Sequence, residues 1–397
     1  MKKSQQKLKA TVDFLRTNPE TVDCWKFNLF SEHIEYNRLP PWCSHASIGK
    51  PIQDVDLAYI RYYISTMLGI EPSKDIVADA CLMVAKDNPY HPVKNFIEKE
   101  KWDCVNRIDS WLIKTMGCVN NEYTRSLSAK ILIAAVNRVY NPGCKFDHMM
   151  ILEGAQGLGK STVIEELAGD FYLDTNFHNK DKDLVSSMKS AFIVEISELS
   201  GMNKREVEWL KSFITRKVDH VRMPYARYSA GYARNCIMIG TFNPSGDNEY
   251  LKDDTGNRRF YPVECKKISI DYVRDNRNQL WAEALHRQRQ GELYHIHEKE
   301  ALNILQGMHA VRQSKSAYYY EIVNFLNSSE MERLTIKNIL AGVMDEYYFK
   351  RKGQHEIMSL QQEVGKILKA QGWEKGTNKD RQYYRNPNYK PVVGWED

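Results

Sequence analysis

The chain has 397 residues, of which 42% are apolar and 27% charged, and a formal net charge of +5. Such a composition suits a globular protein of two or three domains, each long enough to bury a core. The apolar run 131–136 is too short to cross a bilayer and no signal-peptide core follows Met1-Lys2-Lys3, which excludes membrane insertion and secretion and makes the cytoplasm the expected location.

Over residues 1–145 the pattern predicts a mainly helical domain. Apolar residues recur at three- and four-residue spacing in the segments 55–68, 73–86, 107–116 and 123–140. Ser73 suits an N-cap, and Asn141-Pro142-Gly143 a stop. Residues 25–42 alternate and carry the Pro40-Pro41 break, so a short strand or irregular segment is expected there. From 146 to 300 short apolar strands alternate with helical stretches, the pattern of an α/β domain with a largely parallel sheet. Strands are expected at 148–152, 191–196, 236–241 and near 260–263, with a closing helix over 280–290. Cys24, Cys43, Cys81, Cys104, Cys118, Cys144, Cys236 and Cys265 include no Cys-x-x-Cys pair, so reduced packing residues are expected and not a zinc site. His295 and His297 are placed on a surface strand without partner ligands.

Between the first of these strands and a predicted helix stands Gly154-Ala155-Gln156-Gly157-Leu158-Gly159-Lys160-Ser161-Thr162, a complete phosphate-binding loop. The glycines let backbone N–H groups curl around phosphate oxygens, and the helix N-terminus adds partial positive charge. Lys160 would neutralise the β and γ phosphates of ATP, and the Ser161 hydroxyl would take one Mg²⁺ position. Hydrolysis also needs acids at a strand end. Glu195 and Glu198 follow the apolar run 191–194, and spacing leaves their roles open; Glu195 is favoured beside the metal and Glu198 as the water-orienting group. The run 236–241 leads to Asn243, whose amide can hold the attacking water or the γ-phosphate. Arg258 and Arg259 lie on a turn before a strand, where a guanidinium could stabilise charge on the transferring phosphoryl group, often across a subunit boundary.

The stretch 211–234 carries six basic residues, Lys211, Arg216, Lys217, Arg222, Arg227 and Arg234, against the single acid Asp219. Tyr225, Tyr228 and Tyr232 are interleaved. Cations meet phosphates and rings stack on bases, so Lys211, Arg216, Lys217, Arg222, Tyr225, Arg227 and Tyr228 are assigned to a DNA-binding hairpin. A solvated hairpin would look similar, but the position between two nucleotide-site strands favours DNA. Residues 301–397 form a third domain. Helices at 322–326, 336–347 and 360–371 precede strands around a 376–380 turn, which suggests a winged-helix module. Seven basic residues against two acidic ones between 366 and 390 make duplex DNA its expected partner.

The order of phosphate loop, Glu-x-x-Glu strand, basic hairpin, Asn-terminated strand and Gly256-Asn257-Arg258-Arg259-Phe260 resembles the virulence-associated protein E family of prophages and pathogenicity islands. That family is itself similar to superfamily 3 helicases of the AAA+ class. Further segments carry the likeness: His91-Pro92-Val93-Lys94, Lys101-Trp102-Asp103, the run 140–147, Val194-Glu195-Ile196-Ser197-Glu198-Leu199-Ser200-Gly201 and Leu280-Trp281-Ala282-Glu283-Ala284. It covers residues 90–295 best.

The resemblance implies an α/β P-loop ATPase core assembled as a homo-hexamer around single-stranded DNA, with ATP between neighbouring subunits. It also makes Asn243 a sensor, Arg258 or Arg259 the finger from the adjacent subunit, and 211–234 a pore hairpin. Walker B strands usually end in adjacent acids, whereas two residues separate Glu195 from Glu198 here. No amino-terminal primase is legible, so a helicase is expected, with any primase a separate partner and no membrane contact. The expected function is that of an ATP-dependent DNA helicase or replication initiator of a mobile element. The alternatives are a regulatory or defence protein that binds ATP and DNA without unwinding, and a scaffold whose ATP serves assembly.

Overall fold

The computed structural model describes residues 3–43, 46–175, 181–197, 199, 202, 204–221, 229–243 and 256–312. Beyond these it describes 322, 325–326, 328–329, 331–343, 357–358, 360–361, 364–365, 367–368, 373–378 and 381–386. Two compact units emerge, Met1–Val311 and Arg312–Asp397.

The first unit begins with α1 (Lys3–Thr17), β1 (Trp25–Asn28), β2 (His33–Tyr36), α2 (Asp54–Leu68), α3 (Lys74–Lys86) and β3 (Pro89–Tyr90). β1 pairs antiparallel with β2 and parallel with β3. Ser73 caps α3 by accepting from Ile76 N at 3.3 Å, as its side-chain oxygen is placed to do. Val12, Leu15, Trp25, Tyr36, Ile60, Ile64, Val77 and Cys81 close a local core.

Next come α4 (Pro92–Ile97), α5 (Trp111–Met116) and α6 (Glu122–Tyr140). α5 starts later than the periodicity from 107 suggests. The Glu283 carboxylate accepts from Arg107 N at 2.6 Å and Ile108 N at 3.1 Å, and the Arg107 guanidinium grips Asp103. α6 is buried around its whole circumference, which marks it as a central helix.

The sheet elements follow: β4 (Met149–Glu153), α7 (Lys160–Ala168), β5 (Tyr172–Thr175), α8 (Asp181–Met188), β6 (Ile193–Ile196), α9 (Lys204–Ile214), β7 (Val218–Val221), β8 (Ala230–Ala233), β9 (Ile237–Phe242), β10 (Phe260–Glu264), α10 (Ile270–Arg289) and α11 (Lys299–Arg312). Five strands form a parallel sheet in the order β10-β4-β9-β6-β5. Its central strands are continuous apolar runs because both faces are covered. Met150 and Leu152 of β4 join α6, α7 and α10 in one cluster. Met149 and Ile151 join α8 and α9 in the other. The fold is therefore mixed α/β with a five-stranded parallel sheet.

β5 escapes prediction because Tyr172-Leu173-Asp174-Thr175 is short and mixed, and only pairing with β6 makes it a strand. α10 begins ten residues before the expected helix, its first half being polar on most faces. His295 and His297 lie in an irregular link, correcting the expected surface strand; Ile296 between them is buried in the core, and His297 Nδ1 sits 3.3 Å from the His295 carbonyl. Among the cysteines, Cys104 is exposed and Cys144 half-buried, so a packing role fails for Cys104. No helix among the described residues is long and apolar enough to cross a membrane.

In the second unit β11 (Arg333–Leu334), α12 (Ile336–Val343), β12 (Glu374–Asn378) and β13 (Arg381–Arg385) surround Leu326, Leu334, Leu340, Val364, Leu368, Trp373 and Tyr384. The sheet order is β11-β13-β12, all antiparallel. Residues 376–378, expected in a turn, belong to β12, and Asn378 still pairs with Arg381.

Candidate nucleotide site

The loop after β4 crosses the carboxyl-terminal edge of the parallel sheet and enters α7 directly. Gly154 N donates to the Phe242 carbonyl at 3.2 Å, which ties the start of the loop to the end of β9. Gly159 caps α7 at φ +95°, a left-handed conformation that disfavours any side chain. A Cβ on Gly154 would lie 2.8 Å from the Cys265 carbonyl oxygen, so the close approach of two backbones requires glycine there.

Lys160 begins α7 and turns back beneath the loop. Its ammonium donates to the carbonyls of Gly154 at 2.7 Å and Ala155 at 2.9 Å, and to Asn243 Oδ1 at 2.8 Å. The side chain is only 6% exposed, and burial pushes its pKa below the usual lysine value. Asn243 follows β9, so the two residues meet through the pairing of β4 with β9 and not through sequence proximity.

Glu195 is fully buried, at 0% exposure, on β6. Three hydroxyls surround its carboxylate. Ser161 donates to Oε1 at 2.7 Å, Thr241 to the same oxygen at 2.8 Å, and Tyr172 to Oε2 at 2.6 Å. Burial first, then the bond to Glu195 and its charge, raise the Tyr172 pKa, so the phenol stays a donor. Gln156, Gly157, Leu158, Gly159, Lys160, Ser161, Thr162, Asp174, Ser197, Thr241 and Asn243 line an open cleft of about 410 Å³. The structure thus gathers Lys160, Ser161, Glu195 and Asn243. Glu198 lies outside the described residues. Sequence reading missed Tyr172, Asp174, Ser197 and Thr241; the alternation of Tyr172 and Asp174 in a four-residue run was the only available signal.

Arg258 and Arg259 are elsewhere. They form a 3₁₀ turn before β10, and Phe260 pairs with Met149 at the start of β4. The loop leaves the other end of β4, so a five-residue strand, roughly 16 Å, separates the arginines from the cleft within one chain.

The basic segment divides. β7 and β8 form the base of a hairpin, with Val218 opposite Ala233. Arg222, Tyr225, Arg227 and Tyr228 lie outside the described residues. Two basic residues do not face solvent, Lys211, which was assigned to the DNA-binding hairpin, and Arg234. Lys211 is 4% exposed, lies 3.7 Å from Glu208 and packs at the Gly256 turn. Arg234, also 4% exposed, grips Asp219 at 2.6 and 2.9 Å over the Phe213 ring. Arg216 is half-buried, 3.6 Å from Asp219, and Lys217 is exposed. Tyr232 is covered by the Lys189 ammonium, 4.1 Å from its ring centre. No group of three or more His, Cys, Asp or Glu residues among the described ones could hold a metal.

Solved structures of the NrS-1 C-terminal region are similar at 13% identity. The apo structure covers 91% of this chain and 95% of that chain with a TM-score of 0.48. Two A-form apo structures have TM-scores of 0.46 and 0.47, the latter covering 95% of this chain and 98% of that one. No curated protein matches. The virulence-associated protein E-like domain profile matches residues 97–315, more than half of the sequence, and the chain belongs to that family.

Proposed function

We propose that this protein is an ATP hydrolase of a prophage or other mobile element that uses ATP to move along single-stranded DNA as a helicase or replication initiator. One observation carries the reading: the Lys160 ammonium, Ser161 hydroxyl, Glu195 carboxylate and Asn243 amide converge beneath a glycine loop at a helix N-terminus. This arrangement supports reading the core as a P-loop ATPase of the AAA+, superfamily 3 helicase type. The loop N–H groups and the N-terminus of α7 hold the phosphates. Lys160 exchanges its carbonyl partners for phosphate oxygens. Ser161 and Glu195 are hard oxygen donors within one hydrogen bond of each other, which fits a Mg²⁺ that adds positive charge opposite the phosphates. Asn243 positions the attacking water or the terminal phosphate, with Glu198 kept as the water-orienting acid.

Arg258 and Arg259 lie too far away to serve their own cleft, which supports their acting in a neighbour's site within a homo-hexameric ring. Lys217, at the base of the β7–β8 hairpin, would face the DNA strand, and a nucleotide with unequal affinity for two subunit arrangements would move that hairpin. The second unit, with its helices and three-stranded antiparallel sheet, supports a winged helix that contacts duplex DNA.

The test is ATP turnover with and without single-stranded DNA, alongside displacement of a labelled strand. Lys160→Ala should lower turnover by about 100-fold or more. Turnover that DNA fails to stimulate would favour the assembly scaffold, and stimulation without strand displacement a regulatory or defence protein. Mixing Lys160→Ala with Arg259→Ala subunits should restore part of the activity if the finger acts in trans; the same mixture with Arg258→Ala identifies which arginine it is.

A further inference from the structure

Glu195 has a neighbour that no sequence motif announces. Asp174 of β5 stands in register with Glu195 of β6, as Tyr172 does with Ile193. Laterally paired residues of parallel strands project to the same face, and so do residues two apart on one strand. That face is the one packed by α7: Tyr172 and Ile193 belong to its apolar cluster, whereas Leu173 and Val194 belong to the opposite one. Asp174 therefore shares a face with Tyr172, Glu195 and Ser161, and it lines the same cleft as Lys160 and Asn243. Its two near neighbours are engaged with each other, since Tyr172 donates to Glu195 Oε2. Asp174 itself is exposed at the cleft wall.

An exposed carboxylate in a cleft built for phosphates repels the ligand unless a cation lies between them. Mg²⁺ keeps several of its waters when protein-bound, so an exposed acid one strand away from a buried one suits it. We infer that Asp174 is the second acidic group facing the cation of the bound nucleotide, the acid pair being assembled from two adjacent strands instead of two neighbouring residues. This rests on the ATP reading above. It resolves the spacing of Glu195 and Glu198, because a second acid at the metal need not come from the strand that carries the first.

The experiment measures binding of a fluorescent ATP analogue to the full chain while Mg²⁺ is titrated, and again in EDTA. Wild type, Asp174→Asn, Glu195→Gln and Lys160→Ala are compared, with thermal melting to verify folding. Asp174→Asn should need about ten times more Mg²⁺ for half-maximal binding. In EDTA the same variant should bind the analogue no more weakly than wild type, because a repulsive charge is gone. An unchanged Mg²⁺ requirement, with binding lost in Lys160→Ala, overturns the role of Asp174 while leaving the ATP site intact. Equal weakening in Mg²⁺ and EDTA also overturns it, as that is the signature of a structural residue. If wild type does not bind the analogue, the ATP reading itself fails, and the inference with it.

Discussion

Gly154 leaves the least room of the three glycines in the loop. A Cβ there would meet the Cys265 backbone oxygen at 2.8 Å, and backbone yields less readily than a side-chain tip. Gly154→Ala should shift the loop away from β10 and destabilise the fold by about 1–3 kcal/mol, and on the proposed function it should reduce nucleotide binding; thermal melting and nucleotide titration check both effects. A second residue-scale effect concerns pH. Burial lowers the pKa of His91 and of His148 to about 4, outweighing Asp147 beside His148. Both rings fold neutral, and His91 Nδ1 accepts from Lys94 N at 3.2 Å to cap α4. The unfolded chain binds these protons near pH 6.5, so stability is complete above that value and falls as the pH drops from 6.5 toward 4, by up to about 3 kcal/mol per ring. Melting temperatures across this window should decline, and His148→Phe should flatten part of the decline. Lys160 and Ser161 were legible because the glycine loop that carries them is written in consecutive residues. Tyr172, Asp174 and Thr241 were not, because only the order of strands in the sheet brings them to Glu195.

At the scale of elements, the hairpin base separates two kinds of basic residue that composition cannot distinguish. Arg234 and Asp219 form a buried pair, with the guanidinium over Phe213 and a further bond to the Phe213 carbonyl. Arg138 of α6 adds a contact from Nη1 to the Arg234 carbonyl at 3.4 Å. Arg234→Ala leaves Asp219 buried without its main partner, so it should cost about 3–5 kcal/mol and lower the melting temperature. Lys217→Ala, at an exposed position, should leave melting unchanged. On the proposed function it should weaken single-strand binding and reduce the salt slope by about one. Equal effects of both substitutions on melting would contradict this division. The parallel sheet was legible from its apolar runs, since strands buried on both faces need no alternation. β5 was not, because an edge pairing with β6 decides it.

At the scale of the whole molecule, the question is where the first unit ends. A change in pattern near 301 places a boundary there, yet α11 continues the first unit to its last turn. Ala301 and Leu305 are buried in the cluster shared by α6, the sheet and α10. His309 Nε2 lies 2.7 Å from the Phe260 carbonyl, which can only accept, so the ring donates there. That bond holds the residue directly after Arg258 and Arg259. The make-up of α11 hides this role: polar and apolar residues are nearly balanced along it, and the buried Ala301, Leu305 and His309 are spaced four apart on one narrow stripe. A fragment of residues 1–312 should therefore fold with one cooperative transition and, on the proposed function, keep nucleotide binding. A fragment of residues 1–300 loses the burial of Leu305 and Ala301 and the His309 bond. The loss should amount to about 3–4 kcal/mol, or a melting temperature lower by on the order of 10 °C. The shorter fragment should also loosen the turn that carries the arginines before it affects Lys160, because Phe260 sits at the far end of β10 from the glycine loop. Proteolysis at Arg258 or Arg259, faster in 1–300 than in 1–312 while nucleotide affinity stays similar, is the result expected. Equal stability of the two fragments would return the boundary to 301.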